Sequence, residues 1–237
     1  MSFDYGTEGV VEPGGNFKNP AVGDHSARLR SLIHCGLFRE TFKGEKKKPA
    51  PQVIAIFELK DEEDFEDDGV TPLTISKSFP LKKGDKSFMT KFIKALDPQG
   101  KAKGFDDLIG AACQINCKGS KDKNEDGTPK YINFGGLSGL PKKFADMIDP
   151  LVVEGVGHIR FDDLTKEAVM ELHPIRDVAF VLTQGEQYKG SIAESIIEDI
   201  RKDNPEFGTF KSKTKEEKEE EGAKPEVETD LNEDEEF

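Results

Sequence analysis

Three kinds of side chain in this sequence could support chemistry: thiols with imidazoles, crowded carboxylates, and lysines interleaved with aromatic rings. Cys113 and Cys117 stand four residues apart, and Cys35 is distant from both. A zinc knuckle needs close CxxC pairs with further Cys or His at fixed spacing; none exists, so no metal site is expected. His25, His34, His158 and His173 have no neighbouring nucleophile signature such as Gly-x-Ser-x-Gly, and they read as surface or packing residues. The glycines at 135–139 are not followed by Gly-Lys-Ser/Thr, which removes the case for a phosphate loop. Seven carboxylates crowd the stretch from Asp61 to Asp68. Such a run offers no rigid coordination frame, so it reads as a mobile acidic loop, with a Mg²⁺-dependent nuclease as the minority alternative. These patterns contain no catalytic residue and imply no cofactor.

The third group is more informative. Binding single-stranded nucleic acid needs cations for the backbone and ring faces on which bases stack. The two residue types alternate here in Phe38-Arg39, Phe42-Lys43, Lys77-Ser78-Phe79, Lys82-Lys83 and Lys130-Tyr131. Phosphate contacts are therefore expected from Arg28, Arg30, Arg39, Lys43, Lys46, Lys47, Lys48, Lys77, Lys82, Lys83, Lys118 and Lys121. Phe42, Phe79 and Tyr131 are the expected stacking rings, whereas alternation assigns Phe57 and Phe134 to the core.

The elements that must position these residues follow from hydrophobic period. Residues 27–42 read as one long strand with Gly36 in its middle, the mark of a bulge or sharp bend. A basic loop leads to a second, β-branched strand over 52–59, and a third with period two covers 73–79. Phe88, Phe92, Ile93 and Leu96 recur at helical spacing; Asp85 is the expected N-cap, and Asp97-Pro98 the stop. Strands over 109–118 and 130–134 follow, then a glycine loop over 135–141. On the former strand, Cys113, Ile115 and Cys117 face the core while Gln114, Asn116 and Lys118 face away. Three strands, a helix and two strands are the element order of a five-stranded OB-fold barrel, a mainly β class; a β-sandwich is the rival. Short helices are expected near 142–148, 165–172 and 175–187, with a strand as the alternative over 175–182. A clearer helix covers 192–202, capped by Ser191 with Glu194 three residues on. The chain then divides into an irregular arm (1–25), the barrel (26–143), a helical extension packed on it (144–210) and a tail (211–237).

Charge is distributed along the same boundaries. The chain of 237 residues is −13 overall, but residues 216–237 alone hold 12 acids against 2 lysines, a net of −10. Residues 26–143 are +5. A basic region inside an acidic protein is a candidate polyanion site with a competitor attached to it. The tail is too polar and self-repelling to order on its own. It closes on Asp234-Glu235-Glu236-Phe237, an apolar ring beside a carboxylate that a basic, apolar pocket in a partner can capture. The start, Met1-Ser2-Phe3-Asp4, shows no basic region followed by an apolar run, and no stretch resembles a membrane span. With three cysteines, this reads as a cytoplasmic protein with no membrane partner.

Gly36 in strand one, the lysine loop before Ile54-Ala55-Ile56-Phe57-Glu58-Leu59, the helix after Lys82-Lys83, Leu108-Ile109-Gly110-Ala111-Ala112-Cys113 and Tyr131-Ile132-Asn133-Phe134 form an ordered set. Across residues 26–200 this set resembles the bacteriophage single-stranded DNA-binding proteins of the OB-fold type, and the acidic tail with its terminal Phe is similar as well. The resemblance implies coating of single-stranded DNA in phage replication, recombination and repair, in the host cell cytoplasm. It also implies a tail that contacts replication proteins such as the DNA polymerase and helicase–primase and competes with DNA for the groove. Self-association as a homodimer belongs to the same set of expectations. The long segment after the barrel and the acidic loop depart from a minimal OB protein. A protein-interaction adaptor built on the same barrel, with the tail as bait, is the alternative.

Overall fold

β1 (Gly23–Phe38) organises the chain, because every other strand of the main sheet is placed directly or indirectly against it. The computed structural model describes residues 18–39, 41–42, 45–124, 126–152, 155–172 and 178–209. β4 (Ala50–Leu59) pairs antiparallel with β1, and β5 (Thr74–Pro80) pairs antiparallel with β4. On the other side, β6 (Ala112–Gly119) pairs with the first third of β1, and β7 (Ile132–Gly139) pairs with β6. The strand order is β5-β4-β1-β6-β7, and a short β8 (Gly157–Ile159) joins β1 in parallel opposite Ser31–Ile33. Two small strands, β2 (Thr41–Phe42) and β3 (Glu45–Lys46), form a ribbon between β1 and β4.

The sheet curls into a half-barrel. The β1–β4 register slips between Leu29 and Ser31 and again between His34 and Leu37. The latter slip contains Gly36 at φ +89°, so the expected bulge is present and uses a conformation that side-chain-bearing residues rarely adopt. Curling brings the edge strands toward each other: Lys77 Nζ of β5 lies 5.9 Å from the centre of the Phe134 ring of β7. The helix α1 (Phe88–Leu96) closes the opening with Phe88 and Phe92, which pack on Phe79, Phe57 and Phe134. Its N-cap is Ser87, whose hydroxyl accepts from Thr90 N, and not the expected Asp85; the chain enters the helix two residues later than that cap would have it.

β4 is buried on both faces, which is why its sequence is continuously apolar instead of alternating. Val53, Ala55 and Phe57 join the core inside the curl. Ile54 and Ile56 face the other way and, with Ile33 and Cys35, meet a second core. That core is supplied by α3 (Lys166–Leu172), α4 (Val178–Thr183) and α5 (Ile192–Asp203), which follow a short helix α2 (Lys142–Ala145). Residues 178–183 are helical, so the strand alternative fails there, while residues 173–177 lie outside the described set. Ser191 caps α5 by accepting from Glu194 N at 3.4 Å, and the Glu194 carboxylate accepts from Gly190 N at 2.6 Å.

Three other expectations shift. β1 begins at Gly23, inside the stretch assigned to the arm. β7 runs through Gly135–Gly139, which had read as a loop. Two of its glycines are closely approached: a Cβ on Gly135 would sit 2.6 Å from Asn116 Oδ1, and one on Gly139 would sit 3.0 Å from the Ala95 carbonyl of α1. The acidic stretch is a bonded turn and not an unstructured run. Asp64 N donates to Asp61 O, Leu73 N to Asp64 O and Glu66 N to Thr71 O, and Asp68 accepts from Val70 N and Thr71 N. Among the described residues no helix is long and apolar enough to cross a membrane.

Candidate nucleic-acid interface

The bulge at Gly36 and the pairing of β8 with β1 accompany a cleft of about 520 Å³ at that end of the sheet. Its walls come from five separate stretches: His34, Gly36 and Leu37 of β1, Pro51 of β4, Phe105 and Asp106, His158, Arg160 and Phe161, and Gln187. Phe161 lies against Gly36, where a Cβ would meet its ring at 3.1 Å. His34, Phe105 and His158 form a three-ring cluster with centroids 5.1 to 6.0 Å apart.

The two imidazoles are hydrogen-bonded in series. His158 Nδ1 faces Asp106 Oδ1 at 3.0 Å, and His158 Nε2 faces His34 Nε2 at 2.9 Å. The carboxylate requires a proton on His158 Nδ1, which leaves its Nε2 lone pair to accept from His34 Nε2–H when both rings are neutral. The His158 hydrogen bond holds Asp106 below the usual carboxylate range. Burial lowers the pKa of His34, and the charges of His158 and Arg160 push it the same way. In the unfolded chain His34 protonates near the ordinary value of about 6.5, while the folded protein resists that proton. At this group the unfolded state therefore binds more protons as pH falls below that value, and the stability tied to His34 is lost on acidification. Burial works against a proton on His25, but its hydrogen bonds to Asp64 and the Ala21 carbonyl outweigh it and raise its pKa, so His25 acts with the opposite sign. The His34 contribution is therefore read by comparison: between pH 7.5 and 5.5 the change in stability in denaturant is expected to differ between the two chains, His34→Gln losing less, or gaining more, than the unaltered chain. The same change in both chains would mean that His34 makes no such contribution.

Arg160 lines the cleft, and lysines lie on the segments that adjoin it. Lys46, Lys47 and Lys48 are exposed on the connection between Leu37 and Pro51, both of which line it. Lys82 and Lys83 follow Leu81, whose N–H donates to Pro51 O at 2.7 Å. A second basic patch lies at the β6–β7 hairpin. Lys118, Lys121 and Lys130 are exposed there, and Tyr131 is 55% exposed with Lys130 Nζ 5.7 Å from its ring centre. The outward faces of β6 and β7 are polar as expected: Asn116 donates to Asp24 at 2.7 Å and Ser138 to Gln114 at 3.1 Å.

Several expected contact residues have other duties. The Arg28 guanidinium is spent on the carbonyls of Gly110, Ala145, Ile148 and Asp149, tying β1 to the segments around it. Arg30 is buried and pairs with Glu171 at 3.2 Å. Arg39 is bound by Glu186 at 2.6 Å. Phe79 is 2% exposed and packs on Phe88 and Phe92, so it has no face open to a base. Lys77 reaches across the seam between the edge strands instead of standing clear of the sheet. Phe57 and Phe134 are in or against the inner core, as alternation assigned them. Lys43, the Phe42 side chain and the tail residues Asp234, Glu235, Glu236 and Phe237 lie outside the described residues.

Cys113 and Cys117 are buried with Ile115 between them, and burial pushes their thiols up to about 12 and about 11. Thiols so hard to ionise at neutral pH make poor nucleophiles, which agrees with reading them as core. The cleft was not legible beforehand. His34 and His158 are 124 residues apart, and only the unusual Phe105-Asp106 and His158-Ile159-Arg160-Phe161 groupings hinted at ring faces near charge. A scan of protein-family models and a search of curated proteins find no match to this chain, so its function must be argued from its own residues.

Proposed function

We propose that this chain is a non-enzymatic, sequence-tolerant single-stranded DNA-binding protein built on an OB-type barrel. The observation that carries this reading is the cleft: the partly exposed rings of His34, Phe105 and Phe161 with Arg160 in the wall, and exposed lysines on the segments that adjoin it. Stacking is worth about 1–3 kcal/mol per base and accepts any base, and the rim meets phosphates. The strand order supports the OB assignment. The first long strand lies between the second and fourth, the third and fifth face each other at the edges, and a helix from between strands three and four fills the opening. Lys118, Lys121 and Tyr131 extend the path over the β6–β7 hairpin. The role proposed is protection of single-stranded DNA in phage replication, recombination and repair. The acidic tail would recruit replication proteins and compete with DNA for the basic surface.

A titration tests this. The full chain, and a chain lacking residues 216–237, are mixed with oligo-dT and with duplex DNA over a salt series. Binding to oligo-dT is expected to weaken with salt and to tighten when the tail is removed, because the tail's net of −10 no longer competes. No binding to oligo-dT at low salt by the shortened chain would overturn the proposal. The adaptor reading draws on one observation, the exposed apolar side chains Phe144 and Met147 beside Leu140. It requires a protein partner held by that patch and no affinity for oligo-dT.

A further inference from the structure

We propose that His25, Asp61 and Asp64 form a binding site for one divalent cation of the Zn²⁺ class, which clips the acidic turn to the start of β1. One ligand atom from each of the three residues lies within 4.8 Å of the others. His25 Nδ1 is 2.9 Å from Asp64 Oδ2 and 3.8 Å from Asp61 Oδ2. Ligands of a tetrahedral zinc, at about 2.0–2.2 Å from the metal, are themselves roughly 3.3 Å apart, so small side-chain rotations suffice.

Two details set this cluster apart from an ordinary group of surface acids. Asp64 is fully buried, and its Oδ1 has no hydrogen-bond partner among the described residues, a costly arrangement for a carboxylate. His25 is also buried, and its Nε2 lies 2.9 Å from the Ala21 carbonyl. Donating Nε2–H to that carbonyl leaves the Nδ1 lone pair aimed at a carboxylate oxygen. This is the orientation of a metal-ligating histidine, whose second nitrogen is fixed by a backbone carbonyl. A proton between Nδ1 and Asp64 would relieve that one contact. It would leave Asp64 Oδ1 unpartnered and would reach Asp61 Oδ2 only at 3.8 Å. A cation satisfies all three groups.

The surroundings favour a cation as well. Asp61 is 38% exposed, which gives solvent and an ion a way in, and the exposed Glu62 and Glu63 flank it. The neighbouring Lys60 does not neutralise the cluster: its ammonium is bound by the buried Glu58 and donates to Pro150 O. One imidazole with two carboxylates suits a borderline ion such as Zn²⁺ over Mg²⁺ or Ca²⁺, which prefer all-oxygen shells. Water completes the coordination. The consequence is structural: the metal joins the turn at 61–64 to β1 and to the Ala21 carbonyl beside its start.

Zn²⁺ titration of the chelator-stripped full chain, followed by calorimetry and thermal melting without DNA, tests the site. One tight site is expected above weak binding by the tail. At a hundredfold excess of Zn²⁺ over Kd the melting temperature is expected to rise by about 5–10 °C. Asp61→Asn, at the half-exposed ligand, retains an oxygen to accept from Ser26 N and is expected to weaken the tight site at least about 10-fold. Asp64→Asn is expected to do the same, whereas His158→Gln, a histidine outside the cluster, is expected to leave the Zn²⁺ affinity of the tight site unchanged. The proposal fails if Asp61→Asn and Asp64→Asn titrate like the unaltered chain, if His158→Gln abolishes the tight site, or if Zn²⁺ leaves the melting temperature unchanged.

Discussion

Converting Lys46, Lys47 and Lys48 together to glutamine is expected to weaken oligo-dT binding about 100-fold at 0.1 M salt. The number follows from counterion release. Each phosphate neutralised on a single strand contributes about 0.7 to the slope of log affinity against log salt. Losing three contacts lowers the slope by about 2, which at 0.1 M is about two decades of affinity. The three side chains are exposed, so the folded state is barely touched. The ion pair of Lys47 with Glu45 at 3.9 Å is exposed and of little consequence for stability. The measurement is a fluorescence titration of the triple variant across a salt series, with thermal melting as the control for folding. A slope equal to that of the unaltered chain would show that these lysines do not meet phosphates, and the DNA path would have to run elsewhere, with the β6–β7 hairpin the next candidate.

Phe57→Ala is expected to be the most damaging single substitution for stability, at about 3–5 kcal/mol. Phe57 sits in β4 with no exposure, stacks on Phe134 of β7 at 5.9 Å and meets Phe92 of α1 edge-on at 6.3 Å. It therefore links the middle of the sheet to one edge strand and to the helix that closes the curl. Removing the ring leaves a cavity that neither the sheet nor α1 can collapse into without opening the seam between β5 and β7. Aromatic pairs also contribute beyond their buried area, by about 0.5–1.5 kcal/mol. Equilibrium unfolding in guanidinium measures the change, and a loss below about 1 kcal/mol would mean that the seam closes independently of this ring.

Much of the fold could be read locally. The alternation along β6, with Cys113, Ile115 and Cys117 inward and Gln114, Asn116 and Lys118 outward, is a property of a strand's two-residue period and needs no knowledge of its neighbours. The Ser191 cap, the bulge at Gly36 and the order of strands and helix were legible for the same reason: each depends on a few adjacent residues. Local rules failed where the outcome depends on what lies opposite. Asp85 and Ser87 both suit a helix start, and packing of Phe88 against Phe79 is consistent with the later one. Gly135–Gly139 has poor strand propensity, yet it pairs as a strand, with Gly135 closely approached by Asn116 and Lys118 and Gly139 by the Ala95 backbone.

The division is sharpest at the candidate sites. By itself the sequence determined the charge contrast, the lysine-rich connection at 46–48 and the exposed pairing of Lys130 with Tyr131, because composition and short spacing are enough for these. It could not separate working cations from structural ones. Arg28, Arg30 and Arg39 look alike in the chain, and only the tertiary structure gives them carbonyls or acids to bind. Phe79 follows Lys77 at the spacing of a stacking face, but a strand's period says that the two share a side without saying whether that side is wet or buried. The His34–His158 pair joins residues from β1 and β8, and the His25–Asp64 pair joins the start of β1 to a turn 39 residues later. Contacts of that length are decided by how the sheet curls and what packs behind it. That is a balance of burial and hydrogen bonding over the whole domain, which short stretches of sequence do not contain.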